Sequence, residues 1–272
     1  MVDKITIIKP QQGFISINFK ELWRYRELLL ALMIRDIKVR YKQTYLGIAW
    51  AIMQPFTQMV VFSFFFGKLA KIPSDGVPYP IFSYSGLILW TFFSNSISAV
   101  SNSMINSSTI IKKVYFPRLI SPIASSLVYI VDYIIAFTIL IGLIFFYNFP
   151  LRLEFLLIPM VVFGTWLLSI GVGCFLASIN IRYRDVRYAL PFFIQLLLYI
   201  TPVIYPASVA GQFEWIVNIN PMTGFMELHR SLILGLPIKI NQIIISLIIT
   251  IVFLVIGLLT FKKMEKNIVD IV

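Results

Sequence analysis

Apolar residues gather in six long runs along the chain, at roughly 46–66, 81–104, 119–147, 155–179, 189–205 and 241–261. A helix needs about 20 mostly apolar residues to cross the hydrocarbon core of a bilayer, so each run predicts a span, the fifth a short one. Two interruptions of the pattern carry information. Ahead of the first run, Leu29, Met33, Ile37 and Tyr41 recur at four-residue steps. Arg35, Lys38 and Lys42 fall on another face, and Asp36 can pair with Arg40 one turn on. That spacing predicts a basic amphipathic helix of the kind that lies at a membrane surface. Ahead of the last run, residues 206–236 are apolar but broken by Pro206, Gly211, Pro221, Gly224 and Gly235. Neither half is long enough to span, and open backbone at membrane depth must be shielded by protein or water. The region predicts two short helices dipping in from the outer side, hinged near Asn220 and Pro221. An external surface loop is the plainer alternative. The expected fold is an all-α membrane protein. It has six transmembrane helices, an N-terminal amphipathic interface helix and two short re-entrant external helices before the last span. It divides into a cytoplasmic N-terminal region (1–45), a transmembrane domain (46–261) and a cytoplasmic tail (262–272).

Composition supports this reading. Hydrophobic residues make up 59% of the 272, and only 13% are charged, too few to coat a soluble domain. The net charge of +11 sits at the ends of the apolar runs, which points away from nucleic acid and towards membrane topology. With the N-terminus inside, the inner segments hold the basic residues from Lys4 to Lys42, then Lys112, Lys113 and Arg118. They also hold Arg182, Arg184 and Arg187, then Lys262, Lys263 and Lys266. The outer segments hold only Lys68, Lys71, Arg152, Arg230 and Lys239, so both termini are expected in the cytoplasm. Leu28–Ile34 is too short for a signal sequence and no small-residue cleavage pattern follows it. Cys174 is the only cysteine, which rules out an intrachain disulfide.

The motifs that carry catalysis are missing. There is no GxxxxGK[ST] phosphate loop, no GxSxG and no HExxH, and His229 is the only histidine. No catalytic residue and no metal site is expected. If the protein does ATP-driven work, another chain hydrolyses the ATP. Two inner loops stand out. In Asn106–Pro122, Ser107 or Ser108 can cap a short helix running through Lys113 to Tyr115, with Pro117 stopping it. In Asn180–Leu190, three arginines act as stop-transfer charges and Asp185 is expected to pair with one of them. Asp132 lies inside the third run, where an acid is either polar glue between helices or part of a transport path. Ser169, Gly173 and Ala177 recur at four-residue steps and predict close helix packing. Aromatics reach 15%; rings such as Tyr84, Trp90, Tyr129, Tyr133, Tyr199 and Tyr205 suit the apolar faces of sugars, or ordinary packing.

Several stretches together resemble the ABC-2 type exporter permeases. They are "ELWRYRELLLALMIRDIKVRYKQTYLGIAWAIMQP", "KKVYFPRLISP", "NIRYRDVRYALPF", "TPVIYP", "NPMTGFMELHRSLILG" and "FKKMEKNIVDIV". They are most similar to the branch that exports O-antigen, capsule and teichoic-acid polymers. The resemblance implies a homodimer in the bacterial plasma membrane, joined by two copies of a separate ATPase that holds ATP and Mg. It implies a lipid-linked glycan as cargo; a teichoic acid, lipid or drug exporter is the alternative, and a secondary carrier a weaker one. Arg35, Lys38, Arg40 and Lys42 become an interface helix set between lipid headgroups and the ATPase. Ile110, Ile111, Lys112, Lys113, Val114, Tyr115 and Phe116 become the coupling segment. Tyr41, Tyr45, Trp50, Phe56, Phe192, Phe193 and Tyr199 become conduit-lining candidates. Trp215, Pro221, Phe225 and Arg230 become parts of an external gate.

Overall fold

The computed structural model of the protein describes residues 19–42, 47–183 and 185–265, and among these there is no strand. A short helix, α1 (Phe19–Arg24), leads into α2 (Arg26–Lys42). α3 (Ala49–Phe62) continues as a π-helical stretch over Ser63–Leu69. α4 (Tyr79–Asn106) and the single turn α5 (Ser108–Ile111) precede α6 (Ile120–Phe146). α7 (Ile158–Arg182) follows a 3-10 turn at Leu153–Leu157, and α8 (Val186–Ile200) comes next. A 3-10 turn (Ala207–Phe213), α9 (Glu214–Ile219) and α10 (Pro221–Leu234) then lead to α11 (Ile240–Glu265). The six apolar runs map onto α3, α4, α6, α7, α8 and α11.

Four rods are long and apolar enough to cross a membrane on their own: Ala49–Leu69, Ile120–Phe146, Leu153–Arg182 and Ile240–Glu265. α4 has the length but is rich in Ser and Asn, and α8 is apolar but short. α4 is instead protected by its neighbours. It packs against α3, α6, α7, α8 and α10, and Ile81–Leu89 are all buried.

A second seam joins α7 to α11 through glycines. A β-carbon at Gly257 would overlap the carbonyl oxygen of Gly171, and one at Gly171 would lie 2.6 Å from the Leu254 nitrogen. The two backbones therefore touch, as small residues allow in membrane helices. The predicted packing stripe is buried along its length at Ser169, Gly173 and Ala177, with Gly173 against Val100 of α4.

The fifth run ends earlier than expected. α8 stops at Ile200, not near 205, because Thr201 precedes Pro202 and takes an extended conformation. The Tyr205 hydroxyl meets the last carbonyls of α8, and two carbonyls just beyond the break are taken up by Arg230 of α10, which is 1% exposed. Its Nη1 donates to the Pro202 oxygen at 2.6 Å, its Nη2 donates to the Val203 oxygen, and its guanidinium lies 3.8 Å from the Phe82 ring centre. Glu227 stands 3.7 Å from Arg230 and 3.2 Å from Lys239. The hinge expected at Asn220 and Pro221 is present: Asn220 caps α10 by accepting from the Met222 N–H at 3.0 Å. The surface-loop alternative fails for α10, whose Met222, Phe225, Met226 and Leu232 are buried in the bundle. Phe225 fills the space left by Gly164 of α7.

Gly257→Leu is expected to destabilise the protein by at least about 2 kcal/mol, since backbone cannot move aside as a side chain would. Gly142→Ala has nothing within 4 Å of the new carbon, and is expected to gain about 0.5–1 kcal/mol from helix propensity. Thermal unfolding of the purified protein in detergent measures both; equal midpoints for Gly257→Leu and wild type would refute the backbone seam.

Candidate functional site

The buried surface of α4 has one gap, and the gap is polar. Thr91, Ser94, Asn95, Ser98, Asn102 and Asn106 are spaced three or four residues apart, so they share one edge of the helix. All six are partly or fully exposed, while their neighbours Phe92, Phe93, Ser96, Ile97 and Val100 are buried. The upper part of this edge faces an open groove of about 490 Å³ between α3, α4 and α8. Gln54 and Gln58 enter it from α3, and Gln195 and Tyr199 from α8. Among the described residues, the side-chain amides of Gln54, Gln58, Asn95 and Gln195 make no hydrogen bond. Gln54, Asn95 and Gln195 each carry two donors and an acceptor, while the Gln58 oxygen is itself buried and unbonded. None of the groove's lining residues is charged.

Below the groove, α2 is fastened to α6 by a buried charge. Asp132 is 7% exposed in the middle of α6. Arg40 meets its Oδ2 at 2.8 Å, and the Tyr41 hydroxyl donates to its Oδ1. Arg40 also donates to the Tyr129 hydroxyl at 3.3 Å and lies 4.8 Å from that ring's centre. Burial and the adjacent carboxylate raise the Tyr41 phenol above its ordinary value, which keeps it a donor. This corrects the expected Asp36–Arg40 pair. Asp36 pairs with its neighbour Arg35 at 2.7 Å, and Arg40 turns inward to the acid that most needs a counter-charge. Asp132 is polar glue in this structure. The residues expected on the inner stripe of α2 (Leu29, Met33, Ile37 and Tyr41) are half-buried, and Leu32 beside them is the fully buried one.

The loop before α6 is anchored at both ends and free at its tip. Helix α5 stops at Ile111, shorter than the helix expected through Tyr115. Ser107 does not cap it with its side chain; its hydroxyl meets that of Ser121 at 2.7 Å. Ile111 and Phe116 are buried in one apolar cluster with Leu32 of α2 and Phe261 of α11. Arg118 donates to the Ile111 oxygen at 3.1 Å. Within the expected coupling segment, Ile110 is half-buried, Ile111 and Phe116 face inward, and Lys112, Lys113, Val114 and Tyr115 face outward.

The remaining candidates separate by place. Of the conduit candidates, only Tyr199 lines the groove. Tyr41 bonds to Asp132, and Tyr45 lies outside the described residues, as do Arg184, Lys266 and the basic residues before Phe19. Trp50, Phe56, Phe192 and Phe193 stand on uncovered faces of α3 and α8. Lys38 and Lys42 are exposed, Arg35 is half-buried, and Asp185 makes no ion pair with Arg182 or Arg187. Trp215 is exposed and Pro221 opens α10, whereas Phe225 and Arg230 are packed inside. The groove amides were missed by a reading centred on rings. Their signal was polar residues inside apolar runs: Gln54 and Gln58 four apart in the first, Asn95 on the polar edge of the second, and Gln195 in the fifth.

Residues 27–234 match the family described as ABC-2 type transporter. The chain is 26% identical over 247 residues to the O-antigen export system permease protein RfbA of Klebsiella pneumoniae, covering 90% of this chain and 95% of that protein. It is also 26% identical to the RfbA protein of Myxococcus xanthus, covering 78% and 82%. With the polysialic acid transport protein KpsM of Escherichia coli it shares 23% identity, covering 87% and 93%.

Replacing Asp132 by Leu strands Arg40 and is expected to cost about 1–3 kcal/mol. The double change Arg40→Met with Asp132→Leu is expected to recover most of it. A double-mutant cycle on detergent melts checks this; additive losses would mean that the two side chains do not interact.

Proposed function

The chain belongs to the ABC-2 type transporter family, and from that premise we propose that it is the membrane permease of an ATP-driven exporter of cell-surface polysaccharide. The cargo on this reading is a lipid-linked, O-antigen-like glycan carried across the bacterial plasma membrane. The observation that carries it is the set of uncommitted amides at Gln54, Gln58, Asn95 and Gln195, with the ring of Tyr199 beside them. Amides donate and accept at once, as sugar hydroxyls do, and an aromatic ring receives an apolar sugar face. An uncharged lining holds no segment of a polymer tightly enough to stop it. The names of the relatives, spread over most of the chain's length, support the same cargo class.

In this reading α3, α4, α6, α7, α8 and α11 all cross the membrane, with both termini inside. α4 and α8 cross under cover of the other helices and of a second copy. Trp50, Phe56, Phe192 and Phe193 are uncovered on α3 and α8, and a homodimer covers them. Two copies of a separate ATPase bind and hydrolyse ATP with Mg. They engage Lys112, Lys113, Val114 and Tyr115, together with the exposed basic face of α2. A push on that tip enters the bundle at Ile111 and Phe116, which share a core with Leu32. It then passes along α2 to the Asp132 clamp beneath the groove. The hairpin of α9 and α10 closes the outer end, with Trp215 at its exposed rim and Phe225 and Arg230 holding it to the bundle.

Changing Gln58, Asn95 and Gln195 together to Leu is expected to lower surface polysaccharide at least about tenfold while permease level and ATPase copurification stay as in wild type. Lys112→Glu with Lys113→Glu is expected to abolish ATPase copurification. Export unchanged by the triple leucine variant would remove the groove from the path. Surface glycan unchanged on deletion of the gene would refute the function.

A further inference from the structure

Helix α11 is held to the bundle along one stripe. Its buried residues are Gln242, Ser246, Thr250, Gly257 and Phe261, which fall on one face at the helical repeat. The opposite faces are uncovered at Ile244, Ile248, Ile251 and Val255. α11 contains no proline, whereas α3 and α8 carry Pro55 and Pro191 inside. It is therefore an unbroken rod. About 35 Å of helix, at 1.5 Å per residue, separates Gln242 from Glu265.

Each end of the rod grips a different segment. At the outer end, Gln242 Nε2 donates to Asn218 Oδ1 of α9 at 2.7 Å. Ser246 Oγ accepts from the Gly224 N–H of α10 at 3.0 Å. A β-carbon at Gly224 would overlap the Gln242 carbonyl, so α10 and α11 also touch at their backbones. At the inner end, Phe261 shares the core of Ile111 and Phe116. One turn on, Glu265 Oε1 accepts from the backbone N–H of Arg118 at 3.3 Å. Arg118 is buried and holds both ends of the coupling segment. Its Nη1 donates to the Ile111 oxygen at 3.1 Å, and its guanidinium lies 6.0 Å from the Phe116 ring centre.

On the export reading, which this inference rests on, the coupling segment meets the ATPase and the α9–α10 hairpin closes the outer end. We infer that α11 carries movement from the one to the other, with Glu265 as the positioning residue at its inner end, acting through Arg118. The bond from Glu265 reaches the chain itself, so a displaced segment pulls on α11 where a flexible side chain would swivel. Contact along a single stripe lets the rod shift without opening the core, and its closest contact with α7, at Gly171 and Gly257, has no side chains to unlock. The competing route runs through α6, whose Tyr133 hydroxyl meets His229 of α10 at 2.7 Å. That route predicts that the hairpin moves normally when Glu265 is removed.

The test uses the full chain with its ATPase in lipid nanodiscs, carrying a bimane fluorophore on the thiol introduced by Trp215→Cys at the exposed rim of the hairpin. The native Cys174 is buried and stays unlabelled. A non-hydrolysable ATP analogue is expected to shift the bimane emission. Glu265→Ala is expected to shrink that shift at least about fivefold, and Gln242→Leu to do the same from the other end. Glu265→Gln still accepts from an N–H and is expected to retain most of it. Melting temperature and ATPase copurification are expected to match wild type in Glu265→Ala, which separates transmission from folding and docking. A shift absent from the wild-type complex, or undiminished in Glu265→Ala, overturns the inference. Loss of ATPase copurification in Glu265→Ala also overturns it, by making the residue part of the docking surface. Surface glycan on deletion of the gene judges the export reading without any label, so either result can fail while the other stands.

Discussion

A helix with serines and asparagines set along an apolar body is stable in an apolar bundle only where its polar groups are bonded or covered, and α4 is such a helix. Much of its polarity is cancelled locally. Ser83, Ser85 and Ser103 return their hydroxyls to carbonyls three residues back, at 3.1, 2.8 and 2.7 Å. What local bonding cannot hide must be covered, and α3, α6, α7, α8 and α10 all pack against α4. The arrangement of the bundle follows from this need. One edge, Thr91 to Asn106, stays uncovered even though its Ser94, Ser98 and Asn102 bond back to the helix's own carbonyls, and the groove lies along its upper part. The candidate site is thus the part of a serine- and asparagine-rich helix that the fold leaves uncovered.

The same rule governs the break after α8. Ending a helix at membrane depth leaves carbonyls that lipid cannot satisfy. Arg230 supplies the missing donors from a neighbouring helix, and its own charge is sheltered by the Phe82 ring and by Glu227. Such an arginine is part of the backbone's hydrogen bonding as much as of the side-chain core. It also ties the segment after α8 to α10, because Pro202 and Val203 lie before the α9–α10 hairpin and Arg230 lies within it. The neighbouring His229 makes a further bond, at 2.7 Å to the Tyr133 hydroxyl on α6.

The elements were legible because span length and helix period are written in single residues and their spacing. The six runs, the hinge at Asn220 and the packing stripe at Gly173 all came from such local patterns. The site was legible only in part. Asp36 and Arg40 have ideal spacing on one helix, yet Arg40 pairs with Asp132, because a buried acid gains more from a cation than a half-exposed one does. Phe116 and Arg230 look like surface residues in a loop and an outer segment, and burial turned them into anchors. Trp50, Phe56, Phe192 and Phe193 were nominated through the resemblance, and the single chain leaves them uncovered on α3 and α8. Which face of a helix meets a polar space is decided by its neighbours, and single-helix periodicity does not contain them.

The seam between Gly171 and Gly257 has a consequence for how the protein is made. α11 leaves the ribosome well after α7, which precedes it in the chain. Until then the glycine face of α7 must wait against lipid. A face without side chains waits at little cost: its amides are already bonded within the helix, and it offers nothing for a passing helix to grip. When α11 arrives, only a helix with its own gap at the matching height can approach so closely. The two glycines therefore fit each other in one register, at the height where both backbones are bare.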